Sequence, residues 1–364
     1  MKNKISWFSP QIGYAEQKSI EKVVKLNYPN QGSFTKKFEN KISKILKVRY
    51  VIAVPSGTVA LYLALKAIGI KTNDKVIVPN ITFTATANAV TMTGAKVILV
   101  DIDKKNLGIC LFSLRKIINK NKIKAIIPVH ISGRSSNVFE VIKLAKKNNI
   151  NVIEDAAEAF YSKNKNFLGT LGDLGCFSFS PNKIITTGQG GAIVTNNKKN
   201  YLKILKLRDQ GRVGKVTGGG EDNIVSVGYN FKFTNILSSI GIAQLDKLKK
   251  RKKKLIKNYV LYKKNLLPTQ NFRLFEFDLK KGELPLWTDA YVLDRDKLIS
   301  KLKKKGIECR KFWTPLNLHP YYKKSFKYFP NTKFYYKKLL WLPSSFDMSK
   351  KIIQKICKEI QSNL

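Results

Sequence analysis

Histidine and cysteine are scarce in this chain: two and four in 364 residues. Cys110, Cys176, Cys309 and Cys357 are too widely spaced for a CxxC or zinc pattern, and His130 and His319 do not complete one. Reduced thiols in a cytoplasmic protein are the expectation, with no metal site. There is no apolar run of about 18 residues, so no helical membrane span is expected. The start, MKNKISWFSPQIG, has no apolar stretch of the kind a secretory signal needs. Acidic residues are few, 24 against 68 Lys plus Arg, which gives a formal charge of +44. Arginine is scarce as well, at nine residues: Arg49, Arg115, Arg134, Arg208, Arg212, Arg251, Arg273, Arg295 and Arg310. Nucleic-acid readers favour Arg and concentrate charge on one face, whereas here Lys is spread along the whole chain. The excess reads as a compositional bias that would still attract anionic substrates. The densest run, KLKKRKKKLIK from Lys247 to Lys257, is interrupted by Leu248, Leu255 and Ile256 and reads as the solvated face of a helix.

Apolar residues are plentiful at 43%, enough for a sizeable core. The length suits about two domains. From Tyr50 to Thr195 short apolar runs alternate with amphipathic stretches. Strands are expected at Tyr50–Val54, Lys75–Val78, Lys96–Asp101, Lys124–Val129, Asn151–Asp155, Gly175–Ser178 and Gly191–Thr195. Helices are expected between them at Thr58–Ile68, Thr84–Met92 and Phe139–Asn148. That alternation predicts an α/β fold with a mostly parallel, doubly wound sheet. A long irregular stretch is expected from Asp209 to Thr234, holding Gly211, Gly214, Gly218, Gly219 and Gly220. Helix then resumes at Asn235–Lys249. The remainder alternates helix and strand at Lys252–Leu266, Leu286–Leu293, Arg295–Lys305, Ile307–Arg310 and Ser349–Ser362, as a smaller α/β domain would. The expected division is 1–249 for an N-terminal arm with the large domain, and 250–364 for the small one.

Ligands of such sheets sit beyond the carboxyl ends of the strands. Ser56-Gly57-Thr58 follows the first strand and opens a helix. Its backbone N–H groups, a small residue and hydroxyls make an anion cradle. In Glu154-Asp155-Ala156-Ala157-Glu158, Asp155 stands at a strand tip, where a carboxylate could serve a metal, a ribose or a protonated ring nitrogen. In FSFSPNKIITTGQGG, Lys183 follows an apolar strand and precedes a Gly-rich turn. An amine partly buried there would favour its neutral, nucleophilic form and could make a Schiff base. Cradle, carboxylate and amine are the parts that hold pyridoxal phosphate: phosphate, pyridinium nitrogen and aldehyde. Phe83, in PNITFTAT, offers an aromatic face for the ring.

SGTVALYLAL, VIVPNITFTATANAV, VIEDAAEAF, FSFSPNKIITTGQGGAIVTN and VGYNFKFTNILSSIGIAQL, taken in this order, resemble the motifs of the DegT/DnrJ/EryC1/StrS family. These are pyridoxal-phosphate-dependent sugar aminotransferases of fold type I, the aspartate aminotransferase-like fold. The resemblance implies that Lys183 is the Schiff-base lysine and Asp155 the pyridinium partner. It implies that Glu158 lies near the ring hydroxyl, that Gly57, Thr58 and Ser178 bind the phosphate, and that Phe83 stacks on the ring. Asn230, in GYNFKF, matches a residue that reaches the phosphate from the second subunit of a homodimer with shared active sites. Lys232 stands where the family often has Arg, with similar charge but without the bidentate fork. His130, in PVHISG, is common in the family and is expected to be structural.

RDQGR at 208–212, TGGGED at 217–222 and GIECRKFWTPLNLHPYY at 306–322 look most like the GDP-perosamine synthase branch. Where that branch reads Pro-Leu-His, this chain has Pro315-Leu316-Asn317, with His319 two residues on. Lys232, Trp313, Asn317 and His319 are the expected substrate contacts. The implied reaction moves the amino group of L-glutamate to C4 of a nucleotide-linked 4-keto-6-deoxy sugar. The implied partners are those two substrates and a second copy of the chain, with no nucleic acid and no membrane. The alternatives are a UDP- or dTDP-linked keto sugar aminated at C3 or C4, or a keto-inositol. A nucleic-acid-binding protein on the same fold has only the charge in its favour.

Overall fold

The computed structural model describes residues 4–214 and 220–364. Two helices, α1 (Tyr14–Lys25) and α2 (Ser33–Leu46), precede the first strand. Phe38, Ile42 and Leu46 recur at helical spacing along α2 and are buried. The helix stops at Lys47, which takes the left-handed conformation at φ 58°.

The main sheet has seven strands: β1 (Tyr50–Val54), β2 (Lys75–Pro79), β3 (Lys96–Val100), β4 (Ala125–Ile126), β5 (Asn151–Asp155), β8 (Leu174–Ser178) and β9 (Gly191–Thr195). A small hairpin, β6 (Lys163–Asn164) and β7 (Asn166–Phe167), lies between β5 and β8 in sequence. The order is β1-β9-β8-β5-β4-β2-β3. Pairings from β8 to β3 are parallel, whereas β9 runs antiparallel to both its neighbours. The helices between and after the strands are α3 (Gly57–Ala67), α4 (Thr84–Thr91), α5 (Leu111–Lys120), α6 (Val138–Lys147), α7 (Lys198–Arg208) and α8 (Asn235–Asp246). Both sheet faces are covered. Ile52, Val54, Ile153, Cys176 and Ile193 pack with α3, while Val51, Ala53, Phe177, Ala192 and Val194 pack with Phe38 of α2.

The second sheet is antiparallel. Its strands are β12 (Phe272–Leu274), β13 (Thr288–Val292), β14 (Arg310–Lys311) and β15 (Leu339–Leu342), in the order β12-β13-β15-β14. Helix α9 (Leu248–Asn265) leads into it, and α10 (Arg295–Lys304), α11 (Pro330–Tyr335) and α12 (Lys350–Gln361) complete this part. On α12, Ile353, Ile356, Cys357 and Ile360 form the buried stripe.

Several expected boundaries shift for identifiable reasons. The strand expected over Lys124–Val129 shrinks to Ala125–Ile126, because Pro128 has no N–H for the ladder; Val129 rejoins only as a bridge to Asp155. The helix expected over Asn235–Lys249 ends at Asp246, and the next begins at Leu248 rather than Lys252. Lys247 marks the joint, its ammonium donating to the buried Glu16 carboxylate at 2.7 Å. Ile307 forms a parallel bridge to Ile5 instead of a strand, and β14 starts at Arg310. The stretch expected to be irregular contains a short hairpin, β10 (Arg212–Val213) with β11 (Asn223–Ile224). Gly218, Gly219 and the first half of the TGGGED motif lie outside the described residues. The Lys-rich run is indeed one helix face: Lys249, Lys250, Lys253 and Lys257 are exposed, Leu248 and Leu255 buried.

Candidate active site

Strand register builds the cradle. Gly191 of β9 pairs with Val54 of β1 on one side and Ser178 of β8 on the other. This brings the start of α3 against the end of β8. A Cβ at Gly57 would sit 3.0 Å from Ser178 Cβ, and one at Gly191 only 2.6 Å from the Ser56 carbonyl. Ser56 caps α3 by accepting from Val59 N–H at 3.2 Å. Gly57 and Thr58 lie in the first turn, where N–H groups have no intrahelical acceptor. Ser178 and Ser180 face each other at 3.3 Å between hydroxyl oxygens. Backbone donors, hydroxyls and a helix N-terminus together fit a phosphate.

Asp155 ends the central strand β5 and is buried. Its Oδ2 accepts from the Thr86 hydroxyl at 2.7 Å and its Oδ1 from Ala157 N–H at 3.2 Å. Burial pushes this carboxyl above its ordinary range, with the Thr86 bond and the Lys183 charge opposing. A carboxylate held this way retains lone pairs for a cationic N–H donor.

Lys183 sits in the excursion between β8 and β9, which is closed by Phe179 N–H donating to the Gly190 carbonyl at 2.8 Å. Buried Ile184 and Ile185 anchor it from the next positions. Its Nζ lies 3.5 Å from Glu158 Oε1 and 4.8 Å from the centre of the Trp287 ring. Burial pushes Glu158 up to about 7; the Lys183 charge and the Ser132 N–H oppose this, while Asp289 and Asp155 add to it.

These groups line one cavity of about 460 Å³, together with Thr82, Phe83, Arg310 and Lys311. All four tryptophans of the sequence, Trp7, Trp287, Trp313 and Trp341, line it too. Ring centroids separate by 5.2 Å for Trp7–Trp287, 4.8 Å for Trp287–Trp341 and 4.9 Å for Trp313–Trp341. The Arg310 guanidinium lies over Trp7 at 4.5 Å. The indole N–H groups of Trp7 and Trp287 are buried without an acceptor among the described residues. Phe83 stands at the mouth, 57% exposed, with its ring 6.4 Å from Trp313. A cavity with an amine, a buried acid, a phosphate cradle and an aromatic wall fits pyridoxal phosphate.

Lys183, Asp155, Glu158, Gly57, Thr58, Ser178, Phe83 and Trp313 thus converge. Lys232, Asn317 and His319 do not line this cavity, and neither does Asn230, whose expected place is the second subunit's site. Lys232 Nζ pairs with Asp209 at 3.0 Å, and Asn230 is exposed, bridged to the same Asp209. Asn317 is buried in a closed set of bonds: Asn80 Nδ2 donates to its Oδ1 at 2.8 Å, its N–H donates to Asn80 Oδ1 at 2.9 Å, and its Nδ2 donates to the Lys324 carbonyl. His319 is half-buried, with Nε2 3.3 Å from the Thr314 carbonyl oxygen. His130 is buried between Glu154 Oε2 at 2.7 Å and the Arg134 carbonyl, a structural position. Sequence reasoning missed Thr86, Trp7, Trp287, Trp341 and Arg310. The scarcity of tryptophan was the available signal.

The chain belongs to the DegT/DnrJ/EryC1/StrS aminotransferase family, whose signature matches residues 10–361. It is a pyridoxal-phosphate-dependent sugar aminotransferase. It is similar to the GDP-perosamine synthase of Escherichia coli O157:H7, with 36% identity over 339 residues, 91% of this chain and 90% of that one. The GDP-perosamine synthase of Vibrio cholerae is 31% identical over 370 residues, with 98% of each chain covered. Among solved structures, the aminotransferase TlmJ from Streptoalloteichus hindustanus superimposes with a TM-score of 0.92 at 23% identity over 99% of each chain, a likeness of fold. Among the described residues, no helix is long and apolar enough to cross a membrane.

Proposed function

We propose that the protein transfers the amino group of L-glutamate to C4 of a GDP-linked 4-keto-6-deoxy sugar, for building a surface polysaccharide in the cytoplasm. The observation that carries this reading is the convergence of Lys183, Glu158, Asp155 and the start of α3 on one cavity. The identity to GDP-perosamine synthases over nearly the whole chain supports the choice of acceptor.

Pyridoxal 5′-phosphate, when bound, supplies the electron sink for amino exchange. The chain's residues do the rest. The Lys183 amine would hold the cofactor and is placed to move a proton at the reacting carbon. Glu158 Oε1, 3.5 Å from that amine, provides its counter-charge and a proton acceptor. Asp155, steadied by Thr86, keeps a ring nitrogen protonated. Gly57, Thr58 and Ser178 bind the phosphate, and Phe83 covers the ring. The tryptophan wall excludes water, while Arg310 and Lys311 offer positive charge to the substrate's anionic groups.

The working unit in this proposal is a C2 homodimer, with Asn230 and Lys232 of each chain serving the other's site. Residues 1–249 form the cofactor domain and 250–364 the small domain.

The test is a panel of GDP-, UDP- and dTDP-linked keto sugars with glutamate, with products identified by mass and NMR. C4 amination of the GDP sugar is expected; exclusive turnover of another nucleotide or of a keto-inositol overturns the acceptor assignment. Borohydride reduction of the holoenzyme followed by peptide mapping should tag Lys183. A tag on a different lysine overturns its role.

A further inference from the structure

Lys183's amine has two close neighbours, the Glu158 carboxylate at 3.5 Å and the Trp287 ring at 4.8 Å. The two come from segments flanking different sheets. Glu158 follows β5 of the main sheet, and Trp287 directly precedes β13 of the second. One residue ties both down. Ser132 N–H donates to Glu158 Oε2 at 2.8 Å. Its carbonyl accepts from Leu286 N–H at 3.0 Å, next to Trp287. Its hydroxyl donates to Asp289 Oδ1 at 2.8 Å and accepts from Trp341 Nε1 at 3.3 Å. Every polar atom of this buried serine is therefore committed.

The backbone there is held in an unfavourable conformation. Ser132 has φ 53°, ψ 15°, the left-handed region that side-chain-bearing residues seldom adopt. Such conformations persist only where the surroundings enforce them, and they gather at functional sites. The enforcement is visible. A Cβ at Gly133 would lie only 2.0 Å from the Leu284 carbonyl oxygen, so the two segments touch at backbone distance. Arg134 pairs with buried Asp289, and Ser135 N–H donates to Glu283 Oε1 at 2.9 Å.

We propose that Ser132 is a positioning residue that sets the surroundings of the Lys183 amine, by fixing Glu158 from the main sheet and Trp287 from the second sheet at one point. Asp289 and Trp341 act through it. The inference rests on the reading of Lys183 as the reactive amine. The charged groups facing the pair are Asp155 and Asp289, with His130 beside the first and Arg134 beside the second. Arg310 and Lys311 line the same cavity. None of these replaces the Ser132 N–H as the anchor of Glu158 Oε2.

The test uses the full chain stripped of cofactor. Lysines are labelled with trinitrobenzenesulfonate across pH, and the label on Lys183 is read by peptide mass mapping. Ser132→Gly keeps the N–H but deletes the hydroxyl bonds to Asp289 and Trp341, so the turn carrying that N–H is no longer tied to the second sheet, Glu158 is held less firmly beside the amine, and the amine reacts more readily. Lys183 labelling at pH 8 should rise about three- to tenfold, with exposed Lys257 unchanged as an internal reference. Trp341→Phe, which leaves the backbone intact, should raise it in the same direction by less. Unchanged Lys183 labelling in both variants, each shown folded by circular dichroism, overturns the proposal. So does an equal rise at Lys257, which would report general loosening. Borohydride mapping of the parent reads the role of Lys183 separately, so the two ideas fail in different experiments.

Discussion

Asn80 and Asn317 grip each other through two hydrogen bonds, side chain to side chain and backbone to side chain, in a fully buried contact between β2's end and the loop after β14. A third bond, from Leu316 N–H to the Asn80 carbonyl, runs alongside. The clasp joins the loop carrying Phe83 to the loop carrying Trp313, the two rings at the cavity mouth. Truncating either asparagine leaves a buried amide short of partners. Asn80→Ala and Asn317→Ala should each cost about 1–3 kcal/mol in urea unfolding, and the double variant should cost less than their sum. Asn317→His should also destabilise, because an imidazole overfills the site. Additive single effects would dissolve the clasp.

The Glu158 carboxyl predicts a pH dependence of stability. Burial raises it from an ordinary 4.5 to about 7. In the folded protein it therefore keeps its proton over a range where the unfolded chain has lost it. Its contribution is fully present below about 4.5 and is lost as pH rises through about 7. The cofactor-free protein should be less stable at pH 8 than at pH 5.5, and Glu158→Gln should shrink that difference by about 2 kcal/mol. Chemical unfolding at the two pH values measures it. An unchanged difference would mean that the carboxyl titrates normally.

The tryptophans make the cavity its own reporter. All four line it, so pyridoxal phosphate should quench most of the intrinsic emission, and a titration gives its affinity. Lys183→Ala should keep reversible quenching while losing the borohydride-stable product. Emission untouched by saturating cofactor would place the cofactor elsewhere.

Gly191 is the tightest point of the cradle, with a virtual Cβ 2.6 Å from the Ser56 carbonyl. Gly191→Ala should push α3 away from Ser178, weakening cofactor affinity and costing about 1–3 kcal/mol in stability. Equilibrium dialysis and thermal melting check the two effects. Retention of both would mean that the strands absorb the methyl group without moving the helix.

Much of the site could be read from local sequence, because each part follows a strand directly. The Ser56-Gly57-Thr58 turn, the Asp155 strand tip and the Lys183 excursion announce themselves within a few residues of an apolar run. The aromatic wall could not be read this way. Trp7, Trp287 and Trp341 come from three distant segments: the second sheet's register sets Trp287 beside Trp341, and backbone bonds from the segment before α1 bring Trp7 against them. Lys232 and Asn317 illustrate another limit: charge and hydrogen-bonding capacity can be read from residue type, but the neighbours they pair with in the folded chain, Asp209 and Asn80, cannot. The shortened strand at Ala125–Ile126 is a third case, where Pro128 ends a ladder that apolarity alone would continue.

Trp7 is stitched in by its neighbours. Ile5 N–H donates to the Gly306 carbonyl at 2.8 Å, and Ser344 N–H donates to the Trp7 carbonyl at 2.9 Å. An early segment of the chain therefore completes its side of the chamber only once segments far downstream, carrying Trp287, Trp341 and Ser344, have folded against it.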